Sequence, residues 1–213
     1  MKNLITIGLP SKGRLKDKAI SFFNVRGLKI LQSEKERNYF GTIENKPNVK
    51  IIFLHAKEII QRLGDGTLDI GISGLDLFNE SKKNLRNKIK IKHKLEFGNA
   101  NLVVAVPNDW IDVQTIADLE EVSYDIRLKR NSRLRVATKY PNLTNDFLIS
   151  KGVTQYKLIP SLGATETYPF IGSSEIISDI TSTGKTLVDN NLRVLKDGLI
   201  ISSSACLFCA KKN

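Results

Sequence analysis

The sequence predicts an α/β protein of two lobes, built on mixed, mainly parallel sheets, with its active site in the cleft between the lobes. Three observations carry this. Short apolar runs alternate with helical stretches from residue 4 to about residue 80, which is the rhythm of βαβ units. The rhythm starts afresh near Glu96. The segments richest in Gly, Ser, Thr, Lys and Asp fall where a strand passes into a helix, and open α/β sheets bind ligands at the carboxyl ends of their strands.

Residues 4–9 read as a buried strand. Leu15, Ala19, Phe22 and Phe23 then share one face of a helix that Gly27 can end. Residues 49–54 form the next strand. Ala56, Ile59, Ile60 and Leu63 mark a second helix, closed by Gly64 or Gly66. Residues 69–73 are a strand, followed by a short helix near 76–80. In the second stretch, 102–106 is a strand ended by Pro107, and 115–129 is helical with weaker periodicity. Residues 134–137, 142–151 and 156–160 repeat strand, helix, strand. Residues 175–180 are a strand, and the tail over 192–209 is strand-rich. Lys88, Lys90, Lys92 and Lys94 recur every second residue, so they line one face of a strand and can protect a sheet edge.

The chain has 213 residues, 41% of them apolar. That is enough for a substantial core and too apolar for a disordered chain. No apolar run suits a membrane span, and the first residues lack the features of a secretory signal, so a cytoplasmic protein is expected. A formal charge of +11 points to an anionic partner or to a Lys-rich solvated surface. The cations are dispersed and not interleaved with aromatics, which argues against a nucleic-acid module. Cys206 and Cys209 form a lone C-x-x-C with no second pair, and are read as small apolar residues of a late strand.

The segment with the most chemistry runs from Glu175 to Leu187. An apolar strand leads through Asp179 into Thr181-Ser182-Thr183-Gly184-Lys185-Thr186 and then a helix-compatible stretch. Converging N–H groups and hydroxyls at such a turn suit a phosphomonoester, and Gly184 admits close approach. A P-loop would need glycine five residues before Gly184, where Asp179 stands, so that reading fails. The T-G-x-T turn over 183–186 resembles the loop of the common phosphoribosyltransferases, except that Ser178 replaces the first of their two acids. Alone, the segment also fits an ordinary capped turn. Lys12, Gly13 and Arg14 place two cations at another strand–helix junction, suited to a polyphosphate or simply to solvent. Asp69 sits at the start of a strand, while Gly71 and Gly74 leave room for a flat ring or a sugar near the strand's end, or serve packing. Lys139 follows a strand and precedes a helix. Glu166 opens the next helix and is suited to ribose hydroxyls.

Together, the segments Pro10–Leu15, Leu68–Gly74, Arg135–Pro141 and Asp179–Leu187 resemble the ATP phosphoribosyltransferase family over nearly the whole chain. That resemblance implies transfer of the phosphoribosyl group of 5-phosphoribosyl diphosphate to N1 of ATP with release of diphosphate, the first step of histidine biosynthesis, with Mg²⁺ required. It implies a fold similar to type II periplasmic binding proteins, with residues 1–94 and 180–213 in one lobe and 95–179 in the other. Asp179, Thr181, Ser182, Thr183, Gly184, Lys185, Thr186 and Glu166 would bind phosphoribosyl diphosphate. Lys12, Gly13, Arg14, Arg37, Asp69, Gly71, Gly74 and Lys139 would serve ATP. Asp179, Glu166 and Lys12 would carry catalysis, and the magnesium ligands are not assigned.

The length resembles the short form of the family, which lacks a C-terminal regulatory domain. Its expected partners are a second catalytic chain in a homodimer and a regulatory subunit resembling histidyl-tRNA synthetase, in a hetero-octamer, with neither nucleic acid nor membrane. The chemistry needs alignment and charge stabilisation more than a general base. A two-lobed binding module without chemistry and a nucleic-acid binder selected on charge are the alternatives from other classes.

Overall fold

A computed structural model describes residues 4–32 and 39–211. In chain order the elements are β1 (Ile5–Pro10), α1 (Gly13–Asn24), β2 (Ile30–Gln32), β3 (Phe40–Ile43), β4 (Lys46–Leu54), α2 (Ala56–Gly64), β5 (Ile70–Gly74), α3 (Leu75–Glu80), α4 (Lys83–Arg86) and β6 (Ile89–Lys94). There follow β7 (Ala100–Pro107), α5 (Ile116–Arg130), β8 (Leu134–Thr138), α6 (Pro141–Ser150), β9 (Tyr156–Pro160), β10 (Ile176–Thr181), α7 (Lys185–Asp189), β11 (Leu192–Ser203) and β12 (Ala205–Ala210). The chain forms two compact units. One takes the chain up to Asn99 and again from Ser203; the other is Ala100–Ser202.

The first unit holds a sheet of order β2-β3-β4-β1-β5-β12-β6. At its centre β1 runs parallel to β4 and β5, as βαβ connections require. Antiparallel strands extend both sides: β3 on β4, and β12 between β5 and β6. The second sheet has the order β11-β7-β10-β8-β9, with β8 parallel to β9 and β10 and β7 antiparallel to β10. Both sheets are therefore mixed, and antiparallel pairing takes a larger share than the βαβ rhythm alone predicts.

The expected return to the first lobe at Ile180 is corrected by this pairing. β10 and β11 both belong to the second sheet, and only β12 rejoins the first. The tail reads as strand-rich along its length, so apolar spacing alone does not show where it crosses between sheets. The hairpin of β2 and β3 is a further element that apolar spacing does not reveal. Its turn into β4 uses Asn45 at φ 61°. Asparagine tolerates that conformation better than most residues.

Helix α2 shows how the first core is built. Ile59, Ile60 and Leu63 are spaced for one helical face, and all three are buried. His55 caps the helix by accepting the Lys57 N–H at 3.3 Å. Ile59 packs onto a trough made by two glycines, Gly8 of β1 and Gly71 of β5, which are register partners on neighbouring strands. A Cβ on Gly71 would lie 2.5 Å from Ile59 Cγ2 and 3.2 Å from Leu63 Cδ1. Gly71→Ala is therefore expected to destabilise the fold by about 1–3 kcal/mol through overpacking, measurable as a lower midpoint in urea.

In the second unit, α5 forms despite its weak periodicity because its start is strongly specified. Thr115 Oγ1 accepts the Asp118 N–H at 3.3 Å, and Asp118 accepts the Thr115 N–H at 2.7 Å. The two bonds make a capping box. Asn131, left-handed at φ 49°, ends the helix. Asparagine is among the few residues that serve there.

Two smaller expectations bear on function. β6 is the edge strand of its sheet, and its Lys90, Lys92 and Lys94 are exposed, as the edge-protection reading requires. On β12, Cys206 is fully buried in a cluster with Phe208 and Ile60, and Cys209, three residues on, projects from the opposite face of the strand. Burial pushes the Cys206 thiol up, which leaves it inert.

Candidate active site at the strand ends

In the second unit β8 and β10 lie side by side and parallel, and their last paired residues are Thr138 and Ser178. One residue further along each strand stand Lys139 and Asp179. Alternation puts these two on the face opposite to Thr138 and Ser178. The structure brings them together: Lys139 Nζ lies 3.9 Å from Asp179 Oδ2. Asp179 is only 9% exposed, and its Oδ1 accepts the Ile180 N–H at 2.8 Å. Its remaining acceptor capacity is directed at Lys139 and at the strand end. The lysine side chain is 39% exposed. An ion pair this long and this wet contributes at most about 1 kcal/mol to stability, so stability gives little reason for the pair to exist. The resemblance groups Lys139 with the nucleotide residues; in the structure it stands beside Asp179.

Beyond Asp179 the turn has the composition and shape for an anion. Gly184 is left-handed at φ 75°, with no atom within 4 Å of the position a Cβ would take. Its N–H donates to Thr181 Oγ1 at 2.9 Å, and the Lys185 N–H reaches Thr183 Oγ1 at 3.4 Å. The loop is thus tied by its own threonines, while Ser182, Thr183, Lys185 and Thr186 lie at or near the surface. The helix that follows, α7, has only five residues. Its dipole is correspondingly small, so the positive character of this turn comes from N–H groups, hydroxyls and Lys185 more than from a helix end.

Glu166 does not open a helix as expected; it lies in a three-residue 3₁₀ turn, Thr165–Thr167. Ala164 precedes it at φ 45°. The turn packs against β10 and is anchored by Thr165, whose hydroxyl bonds Ser161 Oγ at 2.9 Å. Ser161 is in turn tied to β8 by its N–H, 3.0 Å from Thr138 O. Glu166 is half-buried beside this anchor.

At the other end of β8 and β10, Arg135 and Glu175 form a forked pair. Arg135 Nη2 and Nε lie 2.7 and 3.1 Å from Glu175 Oε1, and the Arg135 N–H donates to Oε2 at 2.7 Å. Burial alone would raise the Glu175 carboxyl, but the Arg135 side chain and backbone outweigh it and hold it below the usual glutamate range. This pair is distant in register from Asp179 and is structural. Stability from a depressed carboxyl is complete above the ordinary glutamate pKa and is lost as pH falls through the lower, folded value. Glu175→Gln should therefore lower the melting temperature near neutral pH, and the gap to wild type should narrow as pH falls below about 4.

In the first unit, Lys12, Gly13 and Arg14 are exposed where β1 enters α1, as expected, and Gly13 takes φ 68°. Gly74 lies at the carboxyl end of β5. Two expected residues do not join them. Asp69 precedes β5 at the amino end of the strands, where its Oδ2 accepts both the N–H and Oγ1–H of Thr6 at 2.9 and 3.0 Å. It stitches β1 to β5 and faces away from the strands' carboxyl ends. Gly71, mid-strand, serves the packing of Ile59 and is not a space for a ring. Arg37 lies outside the described residues.

An acid not selected from the sequence stands at the right end. Asp76, in the first turn of α3, is buried with its Oδ1 only 2.2 Å from where a Gly74 Cβ would be, so Gly74 admits this carboxylate. It also accepts from Ser203 Oγ at 2.7 Å. The signal in the sequence is an acid two residues after a strand-ending glycine.

These geometries can be set beside known proteins. The profile of a family described as ATP phosphoribosyltransferase matches residues 55–213. An ATP phosphoribosyltransferase of Brucella melitensis is 45% identical over 98% of this chain and 91% of its own length. One from Rhizobium etli is 47% identical over 98% of this chain and 90% of its own. A solved ATP phosphoribosyl transferase (HisG:HisZ) complex from Thermotoga maritima shares the fold with a TM-score of 0.73 at 24% identity, over 97% of this chain and 87% of that one. The substrate-binding protein of an amino-acid ABC transporter does so with 0.54 at 14% identity, over 98% and 86%. The second likeness concerns architecture, the type II binding-protein fold, and the sequence matches carry the family. The chain belongs to the ATP phosphoribosyltransferase family.

Proposed function

We propose that the strand-end cluster of the second unit is the phosphoribosyl half of the site for the family's reaction, in which 5-phosphoribosyl diphosphate gives up its phosphoribosyl group to N1 of ATP. The reaction yields phosphoribosyl-ATP and diphosphate and opens histidine biosynthesis. The observation that carries the reading is the Lys139–Asp179 pair set directly before a surface Ser/Thr/Gly turn on β10.

In this reading Ser182, Thr183, Gly184, Lys185 and Thr186 hold the 5-phosphate. The 3.4 Å Lys185–Thr183 bond is long enough to give way to a phosphate oxygen. Asp179 and Glu166 serve the ribose. During transfer the C1–oxygen bond breaks with its electron pair going to diphosphate, and the N1 lone pair forms the new bond. Positive charge builds on the ribose between these events, and a carboxylate held beside it stabilises that charge. Lys139 stands beside Asp179 and keeps it in place. Lys12, Gly13 and Arg14 serve the polyphosphate of ATP or the leaving diphosphate, with Gly74 at the same strand ends. No residue is needed as a general base.

Mg²⁺ would neutralise the diphosphate as it leaves. Among the described residues no group of three or more His, Cys, Asp or Glu converges to hold a metal ion. That donor set fits an ion carried mainly by substrate oxygens and water, as Mg²⁺ prefers.

The partner reading is a regulatory subunit of the kind present in the Thermotoga maritima HisG:HisZ complex. It includes a homodimer of catalytic chains within a hetero-octamer, with histidine inhibition exerted through the partner. No described helix is long and apolar enough to cross a membrane. The test is to mix the chain, with and without a histidyl-tRNA-synthetase-like subunit, with ATP, 5-phosphoribosyl diphosphate and Mg²⁺, and to follow phosphoribosyl-ATP and diphosphate. Absence of both products under both conditions would overturn the reading.

A further inference from the structure

On the face of β8 and β10 opposite to Lys139 and Asp179, three hydroxyls are buried in a row. Thr138 is 2% exposed, and Thr144 and Ser178 are fully buried. Thr144, from α6, donates to Ser178 Oγ at 2.9 Å. It also lies 3.3 Å from Thr138 Oγ1. Thr144 has one proton and gives it to Ser178, so Thr138 is the donor in the second contact. Thr138 Oγ1 in turn accepts the Tyr140 N–H at 2.9 Å. The hydrogen bonds therefore run in one direction, from the Tyr140 backbone through Thr138 and Thr144 to Ser178.

Position gives this chain its consequence. Thr138 and Ser178 are register partners, the last paired rung of the two strands. Thr144 spans that rung. Lys139 and Asp179 are the next residue on each strand and point the other way. The Tyr140 N–H bond also fixes the backbone on the far side of Lys139, so Lys139 is held from both of its neighbours. Three buried hydroxyls are costly unless each is satisfied. Their mutual satisfaction makes the rung rigid at the point where two charged groups must be held together in register.

We propose that Thr144 is a positioning residue for phosphoribosyl transfer: by bridging Thr138 and Ser178 it clamps the rung that carries Lys139 and Asp179. The proposal rests on the reading of that pair as site residues. It also accounts for Ser178. This position points into α6 and away from the strand-end face, so an acid here would be buried among Thr138 and Thr144. A serine fits the hydrogen-bond chain.

The test uses Thr144→Val, which keeps shape and removes the hydroxyl, beside Thr144→Ser, which keeps it. Steady-state kinetics with ATP and 5-phosphoribosyl diphosphate should show kcat/KM reduced by about tenfold to a hundredfold in the valine variant, the range that small misplacements of reacting groups produce. Circular dichroism would show both variants folded at the assay temperature. The serine variant should recover to within about threefold, because its hydroxyl can remake charge-neutral bonds of the same kind.

A cycle with Lys139→Ala separates clamping from general loosening. If Thr144 acts through the pair, its valine substitution should have little further effect once Lys139 is gone. Multiplying effects, or wild-type kinetics in Thr144→Val while Lys139→Ala is impaired, would overturn the clamp and leave the site reading standing. Wild-type kinetics in Lys139→Ala would overturn the site reading, and the clamp with it.

Discussion

Gly184→Val is expected to abolish measurable binding of 5-phosphoribosyl diphosphate while leaving the fold in place. Gly184 sits at φ 75°. That region costs an L residue about 1–2 kcal/mol and a β-branched one more. No atom lies within 4 Å of its would-be Cβ, so the substitution meets no steric wall and the core does not register it. The strain is relieved by turning the peptide, and that moves the N–H now 2.9 Å from Thr181 Oγ1. The turn then loses the tie that presents Ser182, Thr183 and Thr186 together. Losing two or three phosphate hydrogen bonds of about 1.5 kcal/mol each weakens binding by about a hundredfold or more. Calorimetry at fixed Mg²⁺ measures this, and thermal melting should shift by only a few degrees. Unchanged affinity would remove the turn from the phosphate site.

The parts of this molecule that are legible in the sequence are those governed by local rules. The strands β1, β8, β9 and β10 and the helices α2 and α6 lie within a residue or two of their expected bounds, because apolar spacing and Gly or Pro punctuation mark them directly. What escapes depends on pairing between distant segments. β11 and β12 follow one another in a single strand-rich tail, yet one extends the second sheet and the other inserts between β5 and β6. The sheet order decides that, and with it the boundary at Ser203.

The site divides along the same line. Asp179 and the turn to Thr186 are legible because strand, acid and hydroxyl-rich turn are contiguous. Asp69 is legible as the start of a strand, but only the register shows what it does there, bonding Thr6 of the neighbouring strand at the amino end. Gly71 misleads because a glycine opened for a ligand and one opened for Ile59 leave the same mark in the sequence. Lys139 is identifiable as a strand-end cation but not by its neighbour, since only the pairing of β8 with β10 shows that it stands beside Asp179.

That pairing sets the size of the second large effect, Asp179→Asn. The amide replaces the carboxylate with nearly the same volume and still accepts the Ile180 N–H through its oxygen, so geometry is conserved. What disappears is the charge. In the resting protein the partner Lys139 is 3.9 Å away and in contact with solvent. The loss there is small, and folding stability should change by less than about 1 kcal/mol. In the proposed transition state the same charge would face a ribose that is becoming cationic, with substrate displacing water from the site. There it should be worth about 3–4 kcal/mol, the range found when a single preorganised electrostatic group is removed from an active site. The expected result is a fall in kcat of about a hundredfold to a thousandfold, with KM for 5-phosphoribosyl diphosphate moving much less, because the ground state carries no such charge. An equal loss in kcat/KM arising from KM alone would make Asp179 a binding residue without a share in the chemistry, and a wild-type rate would take it out of the site.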